Sequence, residues 1–395
     1  MLGAAGAGLL GRNALAEGVA LDTRLPEGLR ENAAMEALPG KAPLIRLSSR
    51  PPNYETPLAA FRTAITPNNQ FFVRYHLSGL PEQAELARDW KLSVGGDAAR
   101  QPVAFSLAEL QRLPAAEVIA VCQCSGNRRG LFQPHVPGVE WGLGAMGNAR
   151  WQGVRLRDVL ARAGVKPEAV ELFLDGADGP PVAETPDYRK SIPISRALHE
   201  DTLLAFAMNG EKLPLLNGYP VRLVVPGWTA TYWMKHVTQL TVSAKPLDNF
   251  WMKAAYRVPR NLFATDAPFT TQQTAANEPI TRILVNSVVA NLRDGDRVAA
   301  AGFSVEGVAW DGGAGIQRVE LSTDGGKAWR PATLGENLGR YSFRRWSQRL
   351  SAPAGAVEVR VRAVSRSGEQ QADHLVSNPA GYHHNVVQAL RLVAA

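Results

Sequence analysis

Short apolar runs separated by turn-forming residues make up most of the hydrophobic pattern between residues 68 and 242. Runs of this kind, rich in Val, Leu and other strand-forming residues, are typical of buried β-strands. The predicted strands are 68–77, 90–94, 118–121, 171–174, 221–225 and 236–242, with further short elements at 194–198 and 203–208.

Two segments favour helices instead. Ser106 to Glu109 reads S-L-A-E, which is a capping box, and it predicts a short helix that ends at Pro114. Leu156 to Ala163 has the period of a short amphipathic helix, which Gly164 ends. Short strands with a few short helices predict an α+β domain.

The pattern changes beyond a polar connection, rich in Thr, Gln and Ala, at residues 260–280. Alternating positions with regularly spaced turns predict strands at 282–289, 298–310, 316–323, 328–334, 341–350 and 357–365. Asp324-Gly325-Gly326 is a hairpin signal between two of them. This series predicts an immunoglobulin-like sandwich. The expected domains are therefore 17–270 and 271–395, and the Pro-rich residues 17–60 are expected to wrap irregularly around the first.

Residues 1–16 are small and apolar and end in Ala14-Leu15-Ala16, which has the A-x-A form of a signal-peptidase site. They predict the remnant of an export signal, although no twin arginine is present. The apolar run is too short to span a bilayer, and no other stretch predicts a membrane helix. We therefore expect an exported, periplasmic protein that does not bind a membrane.

Composition narrows the class of partner. The 395 residues are too many for one core and suit two domains. The net charge is +7, but the basic residues are scattered, which disfavours nucleic acid and fits a protein that handles an anion or docks an acidic partner. The two cysteines, Cys122 and Cys124, lie two apart on one strand, a geometry that does not favour a disulfide.

The candidate chemistry is concentrated at residues 118–130, V-I-A-V-C-Q-C-S-G-N-R-R-G. Cys124 stands where a strand meets a tight turn, with Arg128 and Arg129 directly after it. A thiolate is a soft metal ligand that nearby positive charge favours, and guanidinium groups suit an oxyanion. These residues alone allow a site that holds a metal and an anion, or a buried cysteine that only packs in the core.

The stretch C-S-G-N-R-R at 124–129 resembles the C-A-G-N-R-R signature of the sulfite oxidase family of molybdenum enzymes. Further matches follow in order at 71–76 (F-F-V-R-Y-H), 149–160 (A-R-W-Q-G-V-R-L-R-D-V-L) and 219–227 (Y-P-V-R-L-V-V-P-G), with W-M-K at 233–235 and 251–253. The resemblance implies a sulfite-oxidase-type molybdopterin domain followed by an immunoglobulin-like dimerisation domain. It also implies a homodimer, and export by the twin-arginine route that bacterial members commonly use.

The resemblance implies a single-pterin molybdenum cofactor with Cys124 as the ligand to the metal, while Cys122 and Arg128 are structural. It implies a substrate pocket formed by Arg74, His76, Arg129, Trp141 and Tyr256. It implies that the cofactor is held by Phe72, Val73, Arg74, Tyr75, His76, Asp178, Asn217, Arg222, Trp233, Met234 and Lys235. Two positions depart from the family pattern. Asn217 replaces a His of vertebrate members, and His384 stands where an Arg often supplies charge to the pocket. A His there is expected to titrate near neutral pH, so that sulfite affinity weakens as the pH rises.

The activity implied is oxidation of sulfite to sulfate, with two electrons passed one at a time to an external c-type cytochrome. No haem is expected in this chain, because C-x-x-C-H is absent. Related alternatives are a sulfane dehydrogenase subunit of a thiosulfate-oxidising complex, a reductase that repairs oxidised methionine, and an assimilatory nitrate reductase. An alternative from another class is an exported binding or adhesion protein, in which Arg74, Cys124 and Arg129 would be structural.

Overall fold

The computed structural model describes residues 34–260 and 271–395. Strands β1–β16 are Met35–Glu36, Leu44–Ser49, Pro52–Glu55, Val73–Arg74, Leu92–Gly95, Val103–Phe105, Ala115–Gln123, Met146–Arg155, Glu171–Gly176, Lys190–Pro193, Leu203–Met208, Glu211–Lys212, Arg222–Val224, Val237–Ser243, Arg257–Pro259 and Asn277–Pro279. Helices α1–α5 are Gln83–Asp89, Leu107–Leu110, Leu156–Ala163, Ile194–Ala197 and Phe250–Lys253. Strands β17–β25 are Asn286–Val289, Arg297–Val298, Phe303–Trp310, Ile316–Ser322, Arg330–Pro331, Thr333–Leu334, Arg344–Leu350, Gly355–Ser365 and Gln388–Ala394.

The strands of the first region form three main sheets, with the orders β1-β2-β3-β4, β10-β9-β14-β5-β6 and β12-β11-β8-β7. Strand β13 pairs with β11, and β15 pairs with β16. The pairing of β14 with β5 is parallel. Strands β17–β25 form two sheets, β17-β19-β23-β22 and β18-β25-β24-β20-β21, which share one hydrophobic core. The protein is thus mostly sheet with a few short helices.

The antiparallel pair of β7 and β8 packs against the core of the first region and against the second region. It is paired from Ala115 opposite Val154 to Gln123 opposite Met146. Because side chains alternate along a strand, Ala120 and Cys122 face the first core, while Val121 packs in a cluster shared with the second region. The Trp310 indole N–H donates to Oε1 of Gln123 at 2.6 Å. The end of β7, where the cysteines lie, is therefore held from both sides.

Several local predictions are confirmed. The capping box at Ser106 and Glu109 is present with both of its hydrogen bonds. Helix α3 has the predicted bounds and ends at Gly164, whose φ is +70°. The hairpin signal at residues 324–326 joins β20 to β21, which pair as neighbours.

Two predictions of secondary structure were wrong, and one strand was missed. Only Val73–Arg74 of the predicted strand 68–77 is a strand, because Asn68–Gln70 forms a 3₁₀ turn after Pro67. The described part of 17–60 is not irregular, since it contains β1, β2 and β3. Strand β25 was not predicted, although Leu390, Leu392 and Ala394 alternate as buried positions along it.

The predicted export signal at residues 1–16 lies outside the described residues. Residues 261–270, which end at the predicted domain boundary, also lie outside them. Within the described residues, none of the helices has the length and apolarity needed to cross a bilayer.

Candidate active site

A cavity lies where β7 ends, and its wall contains both cysteines. The residues predicted from the sequence that line it are Phe72, Arg74, Tyr75, His76, Cys124, Asp178, Asn217, Arg222, Trp233, Met234, Lys235 and Tyr256. They come from segments far apart in sequence, so the fold brings together most of the predicted site.

The turn after β7 presents Cys124 to the cavity. The Cys124 N–H donates to the carbonyl of Ala145 at 2.9 Å, and the Ala145 N–H donates to Oδ1 of Asn127 at 3.0 Å. A Cβ at Gly126 would come within 2.6 Å of the Arg129 guanidinium, so a larger residue there would displace that side chain. Cys124 is a buried free thiol. The local sequence therefore fixes one thiol in the cavity wall.

Cys122 lines the same cavity but differs in its surroundings. Its sulfur accepts from Nη2 of Arg222 at 3.6 Å. Burial raises the pKa of the Cys122 thiol to about 11, even though Arg222 and Lys235 act to lower it. The thiol stays protonated at neutral pH, which is consistent with the structural role predicted for it.

The cavity wall carries more positive than negative charge. Arg74, Arg222 and Lys235 line it, and Asp178 is the carboxylate among its described residues. The cations donate mainly to carbonyl oxygens. Nζ of Lys235 donates to the main-chain carbonyl of Arg74 at 2.6 Å, and Nη1 of Arg222 donates to the main-chain carbonyl of Asn217 at 2.9 Å. Burial lowers the pKa of Lys235 well below its usual range, and raises that of Asp178 to about 6. Buried, uncompensated cations are costly, so this wall favours an anionic ligand.

His76 and Tyr256 meet inside the cavity. The Tyr256 hydroxyl is hydrogen-bonded to Nε2 of His76, and the Tyr256 backbone is left-handed, with φ +58°. Burial, and then the charge of Arg74, lowers the pKa of His76 well below its ordinary value, so the imidazole is neutral at neutral pH. A neutral imidazole joined to a phenol can hold or pass a proton.

Tyr188 is a cavity residue that the sequence reasoning missed. Its ring stacks on His76 with centroids 3.7 Å apart, and its hydroxyl donates to the carbonyl of Thr231 at 2.9 Å. It follows a polar loop and lies two residues before β10, so no periodic pattern marks it. Ser125, whose buried hydroxyl has no partner among the described residues, also lines the cavity.

Four predicted residues do not line the cavity. Val73 points into a cluster with Leu44 and Tyr54, because alternation along β4 turns it away from Arg74. Trp141 is fully buried behind the wall, edge-on to Phe72 at 6.5 Å.

Arg129 is held away from the cavity by main-chain carbonyls. Its Nε donates to Ala380 at 2.7 Å and its Nη1 to Val139 at 3.1 Å. The guanidinium also lies 5.2 Å from the centroid of the Tyr382 ring. Arg129 does not line the cavity, and these contacts use two of its five N–H groups, so its place in the substrate pocket stays a prediction.

His384 lies in a different cavity, beside Arg128. Burial, and then Arg128, lowers the pKa of His384 to about 3. The expectation that His384 supplies a charge titrating near neutral pH is therefore wrong. Arg128 donates to the Ser287 carbonyl at 2.5 Å, which agrees with its predicted structural role.

The donor set fits an anionic cofactor that brings its own metal. In the residues that the structure describes, no group of three His, Cys, Asp or Glu side chains could hold a metal by itself. The wall instead offers a thiol at Cys124 and three cations, and Nε of Arg222 is buried without a partner. A metal with most of its ligands from an anionic organic group would suit these residues.

Two family models match the chain. Residues 78–251 match the oxidoreductase molybdopterin binding domain, and residues 277–391 match the Mo-co oxidoreductase dimerisation domain. Among curated proteins, the sulfite oxidase of Gallus gallus is 36% identical over 353 residues, which cover 85% of this chain and 74% of that protein. The mitochondrial sulfite oxidase of Homo sapiens is 34% identical over 351 residues, covering 85% of this chain and 63% of that protein. The chain thus spans less than two thirds of the length of the human relative.

A solved structure is also similar over almost the whole chain. The sulfane dehydrogenase SoxCD from Paracoccus pantotrophus superposes with a TM-score of 0.74 and 26% sequence identity. The match covers 95% of this chain and 92% of that one.

Proposed function

We propose that this chain, which belongs to the sulfite oxidase family of molybdenum enzymes, oxidises sulfite to sulfate. In the balanced reaction, sulfite and water give sulfate, two electrons and two protons. The electrons leave one at a time to an external c-type cytochrome. The observation that carries the proposal is the buried Cys124 thiol in one cavity with Arg74, Arg222 and Lys235.

The residues of the wall divide between the cofactor and the substrate. Cys124 would be the ligand to the metal, and Arg222, Lys235 and Asn217 would hold the anionic part of the molybdopterin. Bound there, this group would supply two-electron storage and an oxygen atom to transfer. Asp178 would accept hydrogen bonds from the pterin.

Arg74 would bind the sulfite oxygens by charge-assisted hydrogen bonds. Its Nη1 donates to Oδ1 of Asn53 at 3.0 Å, which orients the guanidinium while leaving further donors for an anion. The neutral His76 and Tyr256 pair would hold or move a proton next to the reacting oxygen. Neutral His76 adds no charge of its own, so Arg74 dominates the electrostatic attraction for the substrate.

The assembly and location belong to the same proposal. The match of residues 277–391 to the dimerisation domain supports a homodimer. We also propose that the two packed sheets of this region are an immunoglobulin-like sandwich, that the domain boundary lies near residue 270, and that the protein works in the periplasm after export.

A second candidate is a sulfane dehydrogenase subunit. The similarity to SoxCD over 95% of the chain favours it. Such an enzyme would act on sulfur attached to a carrier protein, so it would need the carrier and its own cytochrome subunit. Turnover of free sulfite by this chain alone would favour the first candidate.

The test measures molybdenum per chain by metal mass spectrometry together with sulfite-dependent reduction of ferricyanide. It compares the wild type with Cys124→Ser and with Cys122→Ser, a matched control in the same cavity. We expect about one molybdenum per wild-type chain together with sulfite turnover. Cys122→Ser should retain both the molybdenum and the turnover, whereas Cys124→Ser should lose turnover. Molybdenum without sulfite turnover would favour the sulfane dehydrogenase. Wild-type protein that lacks molybdenum after expression in a host able to make the cofactor would overturn the proposal.

A further inference from the structure

Lys41 is a buried lysine that lies behind the cavity wall and that no sequence motif marked. Its side chain is 8% exposed. Nζ donates to the carbonyl of Asn68 at 2.6 Å, to the carbonyl of Phe71 at 3.1 Å and to Oδ1 of Asn217 at 2.5 Å. An ammonium has three N–H donors and no acceptor, so these three contacts use all of its donors. One side chain therefore joins the segment before β4 to Asn217.

The contact with Lys41 determines the orientation of the Asn217 amide. Since an ammonium only donates, Asn217 must turn its carbonyl oxygen to Lys41, and its Nδ2 must point the other way. Asn217 lines the cavity, and its Nδ2 has one long contact, 3.3 Å to the Phe72 carbonyl. The amide therefore retains an N–H donor for a ligand.

The charge around Asn217 indicates what that ligand is. The Asn217 main-chain carbonyl accepts from Arg222, so this residue contacts one cation with its side chain and another with its backbone. Within residues 34–260 and 271–395, Lys41 has no carboxylate partner. Burial, and then the charge of Arg222, lowers the pKa of Lys41 to about 7. Two buried cations at one amide favour a multiply charged oxyanion such as a phosphate group.

We propose that Lys41 is a positioning residue of the cofactor pocket, which holds the Asn217 amide with Nδ2 as a donor to a phosphate-class anion. This inference rests on the proposed function, since it takes the anionic part of the cofactor as that ligand. It assigns a role to the segment that contains Lys41, directly before β2. The sequence alone predicted only that residues 17–60 wrap irregularly around the first domain. It also gives a defined donor to Asn217, which replaces a His of vertebrate members of the family.

The test follows the release of cofactor from purified holoenzyme. Molybdenum and phosphorus per chain are measured by mass spectrometry during dialysis, for the wild type, Lys41→Met, Lys41→Arg, Asn217→Asp and the exposed control Lys245→Met. We expect Lys41→Met to release both elements about tenfold faster than wild type, while Lys245→Met matches the wild type. Lys41→Arg should recover part of the retention, because it still donates to the amide oxygen.

Asn217→Asp separates positioning from stability. An aspartate would pair with Lys41 and keep the fold intact, yet it removes the donor and adds negative charge beside the anion. We expect release to be accelerated with no fall in melting temperature. If Lys41→Met does not fold, Asn217→Asp still decides the result.

Two outcomes separate failure of this inference from failure of the proposed function. Retention at the wild-type rate in Asn217→Asp, or in a folded Lys41→Met, would overturn the role of Lys41 and leave the function intact. Wild-type protein without molybdenum and phosphorus would overturn the proposed function, and this inference with it.

Discussion

The Tyr256 hydroxyl and the His76 imidazole are hydrogen-bonded to each other inside the cavity, although they are 180 positions apart in sequence. His76 follows β4, and Tyr256 immediately precedes β15. The Tyr256 ring is stacked on Tyr382, with centroids 5.6 Å apart, and its left-handed φ is rare for a residue with a large side chain. A residue held in such a conformation has an orientation imposed by its surroundings, which supports a role in the site.

The first prediction concerns this pair. Tyr256→Phe removes the hydroxyl that bonds His76 and keeps the ring that packs on Tyr382. We expect kcat for sulfite to fall by about 10- to 100-fold, because a proton-holding group in the cavity is lost. Steady-state kinetics with ferricyanide check this.

Tyr232→Phe is the matched control for Tyr256→Phe. Like Tyr256, Tyr232 lies under the Lys190 ammonium, 5.0 Å from the ring centroid, but it does not line the cavity. Its kcat should stay within about twofold of wild type. Equal losses in the two variants would count against a specific role for the Tyr256 hydroxyl.

The second prediction contrasts two arginines. Arg74 lines the cavity, whereas Arg129 donates to the carbonyls of Ala380 and Val139. Arg74→Met should raise KM for sulfite by about 10- to 100-fold, because a charge-assisted contact to the anion is lost. Arg129→Met should raise KM less but lower the melting temperature more, since two buried carbonyls lose their donors. The reverse ranking in KM would place Arg129 in the substrate pocket after all.

The third prediction concerns Glu55, a fully buried carboxylate on β3. It accepts from the N–H groups of Gly142 at 2.7 Å and Gly144 at 2.8 Å. Gly144 directly precedes Ala145, whose carbonyl accepts from the Cys124 N–H. Burial raises the pKa of Glu55 from an ordinary 4.5 to about 7, despite its hydrogen bonds. The folded protein therefore binds an extra proton between pH 4.5 and 7, and the free energy of unfolding falls as the pH rises through that window.

Glu55→Gln removes this titration. The stability advantage of the wild type over Glu55→Gln should shrink by about 3 kcal/mol between pH 5 and pH 8. Urea unfolding at the two pH values measures it, with the exposed Glu168→Gln as control. A difference that does not change with pH would show that the carboxylate is already ionised at pH 5.

Local signals explain which parts of the fold and site were predictable. The turn at Cys124 is a continuous run of residues, the capping box at Ser106 is four residues long, and Gly164 ends a helix that its own period defines. Each depends on neighbours in sequence. Arg74 and His76 were placed through the family resemblance, and alternation along β4 explains why Val73 does not join them.

The missed residues depend on burial that local sequence does not encode. Lys41 lies in the polar run P-G-K-A-P, and its contact with Asn217 spans 176 positions. Arg128 and Arg129 are adjacent and chemically identical, yet the tertiary fold sends each to different carbonyls.

The last prediction concerns three histidines, of which His236 is buried and His383 and His384 are partly buried. Burial lowers the pKa of His236 and His384 to about 3 and that of His383 to about 4, from an ordinary 6.5, and the neighbouring cations Lys235, Arg128 and Arg282 lower them further. Each is neutral in the folded state and gains a proton on unfolding below pH 6.5. Stability from these groups is therefore complete above pH 6.5 and is lost as the pH falls towards 4.

The variant His384→Leu tests this pH dependence of stability. It also tests the finding that His384 does not belong to the substrate pocket. Removing this titration should reduce the loss of unfolding free energy between pH 7 and pH 5 by about 2 kcal/mol, with His374→Leu as the exposed control. His384 lies in the cavity beside Arg128, which is separate from the candidate active site. The KM of His384→Leu for sulfite should therefore stay within about twofold of the wild-type value from pH 6 to pH 9. A KM that rises with pH in the wild type and is flat in His384→Leu would instead mean that His384 is charged near neutral pH and reaches the substrate.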